Sequence, residues 1–168
     1  MKTSLAILFL LCMFSIGTSG QQKILEPGDF AEKVRTVGGE LQIVSGNSVE
    51  LNGRPIFKYS TGESDERGVF LTPHYSFGDT DVVLFWVCGS QPYSTGSMRL
   101  ITVRRNGSAT VSPQYLGTGM FPVVTRKARS LEIFFSPSVG LHGGSPYAET
   151  WTWQAGTLRQ VRAKRRRS

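Results

Sequence analysis

Hydrophobic and polar residues alternate with a period of two through most of this chain, the spacing of strands that bury one face. Leu41 and Ile43, then Val49 and Leu51, sit between polar neighbours, and Asn52-Gly53 supplies a two-residue turn into Arg54–Tyr59. Val69–Thr72 resumes the apolar pattern. Asp81–Cys88 is different in kind, because Val82-Val-Leu-Phe-Trp-Val87 is apolar without interruption, which predicts a central strand buried on both faces. Met98–Arg104 alternates again, and Asn106-Gly107 predicts a type I′ turn into Ala109–Pro113. Pro122–Thr125, Leu131–Phe135 and Ala148–Gln154 follow, and Ala155-Gly156 turns the last of these into Thr157–Val161. A spacing of two puts Trp151 and Trp153 on one face. About one turn of helix is expected within Asp29–Val37, with Asp29 as N-cap and Gly38-Gly39 as its end. Ser60–Gly68, Pro73–Thr80, Gly89–Ser97 and Gly140–Pro146 read as loops. Roughly nine or ten short strands predict an all-β fold, an antiparallel β-sandwich or a partly closed barrel.

The first twenty residues break the pattern. Lys2, the apolar stretch Leu5–Ile16 and the small residues Thr18, Ser19 and Gly20 form a secretory signal peptide, which predicts a secreted or periplasmic protein. The apolar run is too short for a membrane anchor, and no later stretch is apolar enough to span a bilayer. Leu11 before Cys12 stands where a lipoprotein signal needs a small residue. Cleavage after Gly20 leaves 148 of the 168 residues, enough for one β domain. Its sole cysteine is then Cys88, so no intramolecular disulfide is available, and its place at the end of the apolar run favours a buried thiol over one paired with a partner.

Charge divides the remainder. Residues 21–158, expected to be a single β domain, hold twelve basic and twelve acidic side chains. The excess sits in 159–168, where Arg159, Arg162, Lys164, Arg165, Arg166 and Arg167 have no acidic neighbour. Such a tail is expected to be disordered, and to suit anionic lipid or wall polymer. The high isoelectric point therefore belongs to the tail rather than to a basic face, and nucleic acid is not an expected partner. Within the body, 21–81 carries a net charge of −4 and 82–158 a net charge of +4.

Candidate chemistry is sparse. His74, with Asp79 or Asp81, would serve a proton shuttle or a periplasmic hydrolase. His142-Gly-Gly-Ser145 is like the glycine-rich oxyanion loop of esterases, but the Gly-x-Ser-x-Gly elbow is missing. His-Glu-x-x-His, Cys-x-x-Cys and the phosphate-binding Gly-x-x-x-x-Gly-Lys are also missing, so no metal or cofactor is expected. Among the aromatic residues most alternate as core, while Tyr75 and Tyr93 fall in loops and are expected to be exposed. The candidate binding residues are therefore His74, Tyr75, Asp79, Asp81, Tyr93 and His142, on loops held by a rigid scaffold.

The order Asp81-Val-Val-Leu84, a loop with Cys88 and Tyr93, Leu100-Ile-Thr-Val103, Asn106-Gly107, Val111-Ser-Pro-Gln-Tyr115 and Gly117 resembles small uncharacterised exported β-rich proteins of Gram-negative bacteria. The resemblance covers about a third of the chain and implies a periplasmic protein without naming a site. Periplasmic lysozyme inhibitors share the size and compartment, but their Ser-Gly-x-x-Tyr loop does not occur here. The expected function is non-enzymatic binding of another envelope or secreted protein, as an inhibitor, immunity factor or assembly accessory.

Overall fold

The computed structural model describes residues 20–59, 68–88, 97–117, 121–137 and 147–161. Among them are thirteen strands, more than the roughly nine or ten expected, and one 3-10 turn at Pro27–Asp29. In chain order the strands are β1 Gln21–Ile24, β2 Lys33–Thr36, β3 Gly39–Val44, β4 Ser48–Leu51, β5 Arg54–Lys58, β6 Gly68–Phe77 and β7 Thr80–Cys88. They continue with β8 Ser97–Arg104, β9 Ala109–Val111, β10 Val123–Arg126, β11 Ser130–Phe135, β12 Glu149–Gln154 and β13 Thr157–Val161. All pair antiparallel, in three sheets ordered β1-β10-β11-β12-β13, β2-β3-β4-β5 and β6-β7-β8-β9, and no sheet closes into a barrel.

The β6–β9 sheet is the middle layer. Val82 and Leu84 on β7, with Met98 and Leu100 on β8, pack against Val124, Leu131, Ile133, Trp151 and Trp153 of the five-stranded sheet. Their neighbours Val83, Phe85, Ile101 and Val103 face the other way, onto Val34, Leu41, Val49 and Leu51 of the four-stranded sheet. An uninterrupted apolar run is what a strand needs when neither face meets water, so the expectation for β7 holds. The alternating strands β11 and β12 bury one face only, and Trp151 and Trp153 do share it.

Local chemistry decides where strands end. Asn52 and Gly53 have φ of 53° and 75°, the paired left-handed conformation of a type I′ turn, as expected. At the β8–β9 hairpin the type I′ expectation is corrected, because only Gly107 has positive φ, at 76°. Its N–H donates to Arg104 O at 2.9 Å and Arg104 N–H donates to Ser108 O at 2.9 Å, closing a three-residue loop. Asn106 instead uses its side chain, whose Oδ1 accepts from the Ser108 N–H at 3.0 Å.

Three further expectations are corrected. No helix forms within Asp29–Val37: a 3-10 turn with Glu26 as N-cap ends at Asp29, and Lys33–Thr36 is β2, since Val34 and Thr36 alternate as buried positions. The expected loop Pro73–Thr80 consists mostly of strand, β6 continuing to Phe77 and β7 starting at Thr80 around Gly78-Asp79. Pro73 does interrupt the ladder, for it lacks an N–H; the register shifts there, and Leu84 N–H donates to Thr72 Oγ1 at 3.2 Å. Finally, Arg159 is not in a tail: it pairs with Thr152 on β13, so ordered chain extends to Val161.

Residues 1–19 of the segment read as the signal peptide, 1–20, and the tail residues Arg162, Lys164, Arg165, Arg166 and Arg167 lie outside the described residues, as does the Cys88 thiol. No helix among the described residues is long and apolar enough to cross a membrane.

Candidate functional site

His74 stands on β6 and Asp81 on β7, and the cross-strand partners His74–Val83 and Ser76–Asp81 place them on the same face. His74 Nε2 is 4.0 Å from Asp81 Oδ2, outside hydrogen-bond distance. The carboxylate is engaged elsewhere: Val37 N–H donates to Oδ2 at 2.6 Å, tying the β2–β3 turn to the middle sheet. Asp81 is 2% exposed and its Oδ1 has no hydrogen-bond partner, whereas the His74 side chain is 41% exposed. Asp79, the alternative acid, pairs instead with Arg105, whose Nε lies 2.6 Å from Asp79 Oδ1.

Tyr75 is corrected from an exposed loop residue to a half-buried strand residue packed on the core under the five-stranded sheet. Burial, and secondarily the Asp29 charge, push its phenol up to about 12. Asp29 is held below its ordinary range by Lys23, with which it is ion-paired, and by the Glu26 N–H at 2.9 Å. His74 and Tyr75 line a small cleft of about 280 Å³ with Gln21, Lys23, Ser76 and Arg126. Tyr93 and His142 lie outside the described residues, as do the loops around them.

A larger cleft of about 640 Å³ opens beside the first, sharing Ser76 and Arg126 with it. It lies between the middle and five-stranded sheets, at the end of the molecule where four hairpin tips meet. Arg104 enters from the end of β8, Arg126 from the end of β10 and Arg129 from the β10–β11 turn. Phe77 and Trp153 form its inner wall with ring centroids 4.8 Å apart, Trp153 being anchored from below by a 3.0 Å bond from its Nε1–H to Thr102 Oγ1. Arg126 is held in place, its Nη2 donating to Ser76 O at 2.9 Å and its guanidinium lying 5.5 Å from the Phe77 centroid.

The charge inventory shows why this cleft is unusual. The six basic residues of 82–158 are Arg99, Arg104, Arg105, Arg126, Lys127 and Arg129. Arg105 is neutralised by Asp79 and Lys127 by Glu132. Arg99 donates through Nε to Ser112 O at 2.8 Å and lies over Phe57 and Tyr115, a packing role. The remaining three all line the cleft, and among the described residues no carboxylate lies within ion-pairing distance of them. Three guanidiniums around a concave surface concentrate positive potential there and present planar donors suited to carboxylate or phosphate oxygens.

The excess of basic residues still lies in 159–168, but within the neutral body three basic residues line one cleft. Its sequence signal was the +4 of 82–158, which the overall neutrality of the body concealed. Among the described residues no group of His, Cys, Asp and Glu is arranged to hold a metal ion. Comparison with family models, with curated proteins and with solved structures gives no match.

Proposed function

We propose that this chain is an exported, non-enzymatic binding protein of the cell envelope that engages another envelope or secreted protein, as an inhibitor, immunity factor or assembly accessory. The observation that supports this reading is the set of three arginines around one cleft, none of them paired with an acid among the described residues. Stability gains nothing from such a cluster, since like charges repel across it. A partner bringing acidic groups would convert that cost into affinity and faster association. The signal peptide supplies the compartment.

The test is capture from the exported fraction of the producing organism, using the immobilised full chain and a control chain unfolded by heat. One protein retained in stoichiometric amount by the folded chain alone is the expected result. Equal retention by both would overturn the reading.

A hydrolase acting through His74 and Asp81 has one observation in its favour, their 4.0 Å approach. Against it, the Asp81 oxygen nearest His74 already accepts the Val37 N–H, and the carboxylate is buried. His74→Ala is expected to leave partner capture unchanged; abolition by that variant of a measurable hydrolytic activity would reverse the order of the two readings.

A further inference from the structure

We infer that the arginine cleft takes an extended acidic segment of the partner, one that carries carboxylates on alternate residues. This rests on the binding-protein reading and adds the chemistry of what is bound. Register and side-chain contacts place the positive groups over different parts of the cleft. Phe77, Thr80 and Arg104 form one cross-strand row over β6, β7 and β8, so Arg104 starts two strand spacings, about 10 Å, from Phe77. Arg126 lies against that same Phe77. The two guanidiniums therefore flank the row from opposite sides, while Arg129 adds a third charge from the β10–β11 turn.

A single small oxyanion would need donors converging on one point within about 3 Å. Arg126 is held against Ser76 O and the Phe77 ring while Arg104 Nη2 lies beside Gly156, so the two groups stand over different parts of the cleft and fit two separate acceptors instead. In an extended chain, side chains two residues apart share a face with their Cα atoms about 7 Å apart, and two carboxylates splayed from such positions reach both guanidiniums. The lining between them is low. Gly78, Ala128, Ala155 and Gly156 have little or no side chain, which leaves room for a main chain to lie along the cleft. A volume of about 640 Å³ accommodates a few residues of such a segment.

Gly156 lines the cleft, and β13 then runs from Thr157 to Val161, so the last described residue is about 17 Å along the strand from the rim. Cleft residues and tail residues are substituted separately.

The decisive measurement is fluorescence polarisation of a labelled peptide of alternating Asp and Gly against the full chain, at about 150 mM salt. An alternating Asn and Gly peptide is the neutral control, and inorganic pyrophosphate is the competitor. Arg104→Gln with Arg129→Gln is expected to weaken binding of the Asp peptide about tenfold or more. Arg104→Lys with Arg129→Lys, which keeps the charges and loses the planar donors, is expected to fall between that variant and the parent, and it gives a reading if the Gln variant folds poorly. Lys127→Gln, next to the cleft but paired with Glu132, should change affinity by less than about twofold.

Unchanged affinity in both cleft variants would overturn the inference. So would displacement of the peptide by pyrophosphate at equal concentration, or loss of binding only when Arg162, Lys164, Arg165, Arg166 and Arg167 are replaced by Gln. Absence of peptide binding alongside stoichiometric capture of an envelope protein would sink this inference and leave the binding-protein reading intact. Peptide binding at the cleft without any captured partner would do the reverse.

Discussion

At Ala155 the backbone adopts φ of 49°, followed by Gly156 at 83°, so a residue with a Cβ occupies the first position of a type I′ turn. The left-handed region costs an L-residue about 1–2 kcal/mol unless its side chain compensates, as that of asparagine does. Ala155→Asn is therefore expected to raise stability by about 1 kcal/mol, seen as a melting temperature about 2–4 °C higher. Gly117 sets the opposite limit. Its φ is 56° and an added Cβ would run into the Phe135 ring, so Gly117→Ala should destabilise by more than about 1 kcal/mol in the same assay. Tyr75 provides a pH test. Its raised pKa means the folded state keeps the phenol proton to about 12, whereas the unfolded chain loses it near 10. The corresponding stability is complete below about pH 10 and is lost as pH rises toward 12. Denaturation midpoints measured across that window should fall in the parent and fall less in Tyr75→Phe. Asp29 has the opposite sign, its pairing with Lys23 contributing above the ordinary carboxylate range and lapsing as pH falls through it.

Among the elements, β7, like β8, is flanked by a paired neighbour on each edge and a core on each face. Its unbroken apolar run made that legible in the sequence, as did the alternation of β11 and β12. What the sequence concealed were cases in which side chains replace backbone pairing. Thr72-Pro73 reads as the start of a loop, yet the Thr72 hydroxyl accepts the Leu84 N–H and the strand continues through His74 and Tyr75. Ser112 does the same before Pro113, its Oγ accepting the Leu100 N–H at 3.0 Å. The helix expected at Asp29–Val37 failed because Asp29 ends the 3-10 turn instead of starting a helix, and the pairing of Val34 with Leu41 draws the next residues into a sheet. Between the middle and five-stranded sheets, the bond from Trp153 to Thr102 is a buried polar link within an apolar interface. Thr102→Val keeps the shape and strands the indole N–H, so a loss of about 1–3 kcal/mol is expected, measurable by urea denaturation followed through tryptophan emission.

Over the whole molecule, the distribution of charge matters more than its total. The neutral count for 21–158 suggested no basic face on the body, because residue counts cannot say which acids reach which bases. Folding brings Asp79 to Arg105 and Glu132 to Lys127, and it leaves Arg104, Arg126 and Arg129 together with no acid of the described residues paired to them. The cleft was therefore only half legible: the +4 of 82–158 announced the surplus, while its convergence depends on hairpin tips from two sheets meeting at one end. Charges gathered for a partner should be a liability in its absence. Arg126 also holds Ser76 and Phe77, so the cost is best read from the other two. At about 10 Å in water each like-charge pair costs about 0.4 kcal/mol. Arg104→Gln with Arg129→Gln is expected to raise the melting temperature by about 1–3 °C at low ionic strength. That gain should vanish near 1 M salt, where the screening length is about 3 Å. A lower melting temperature at every salt concentration would mean that these arginines brace the fold, and that the cleft is a by-product of packing.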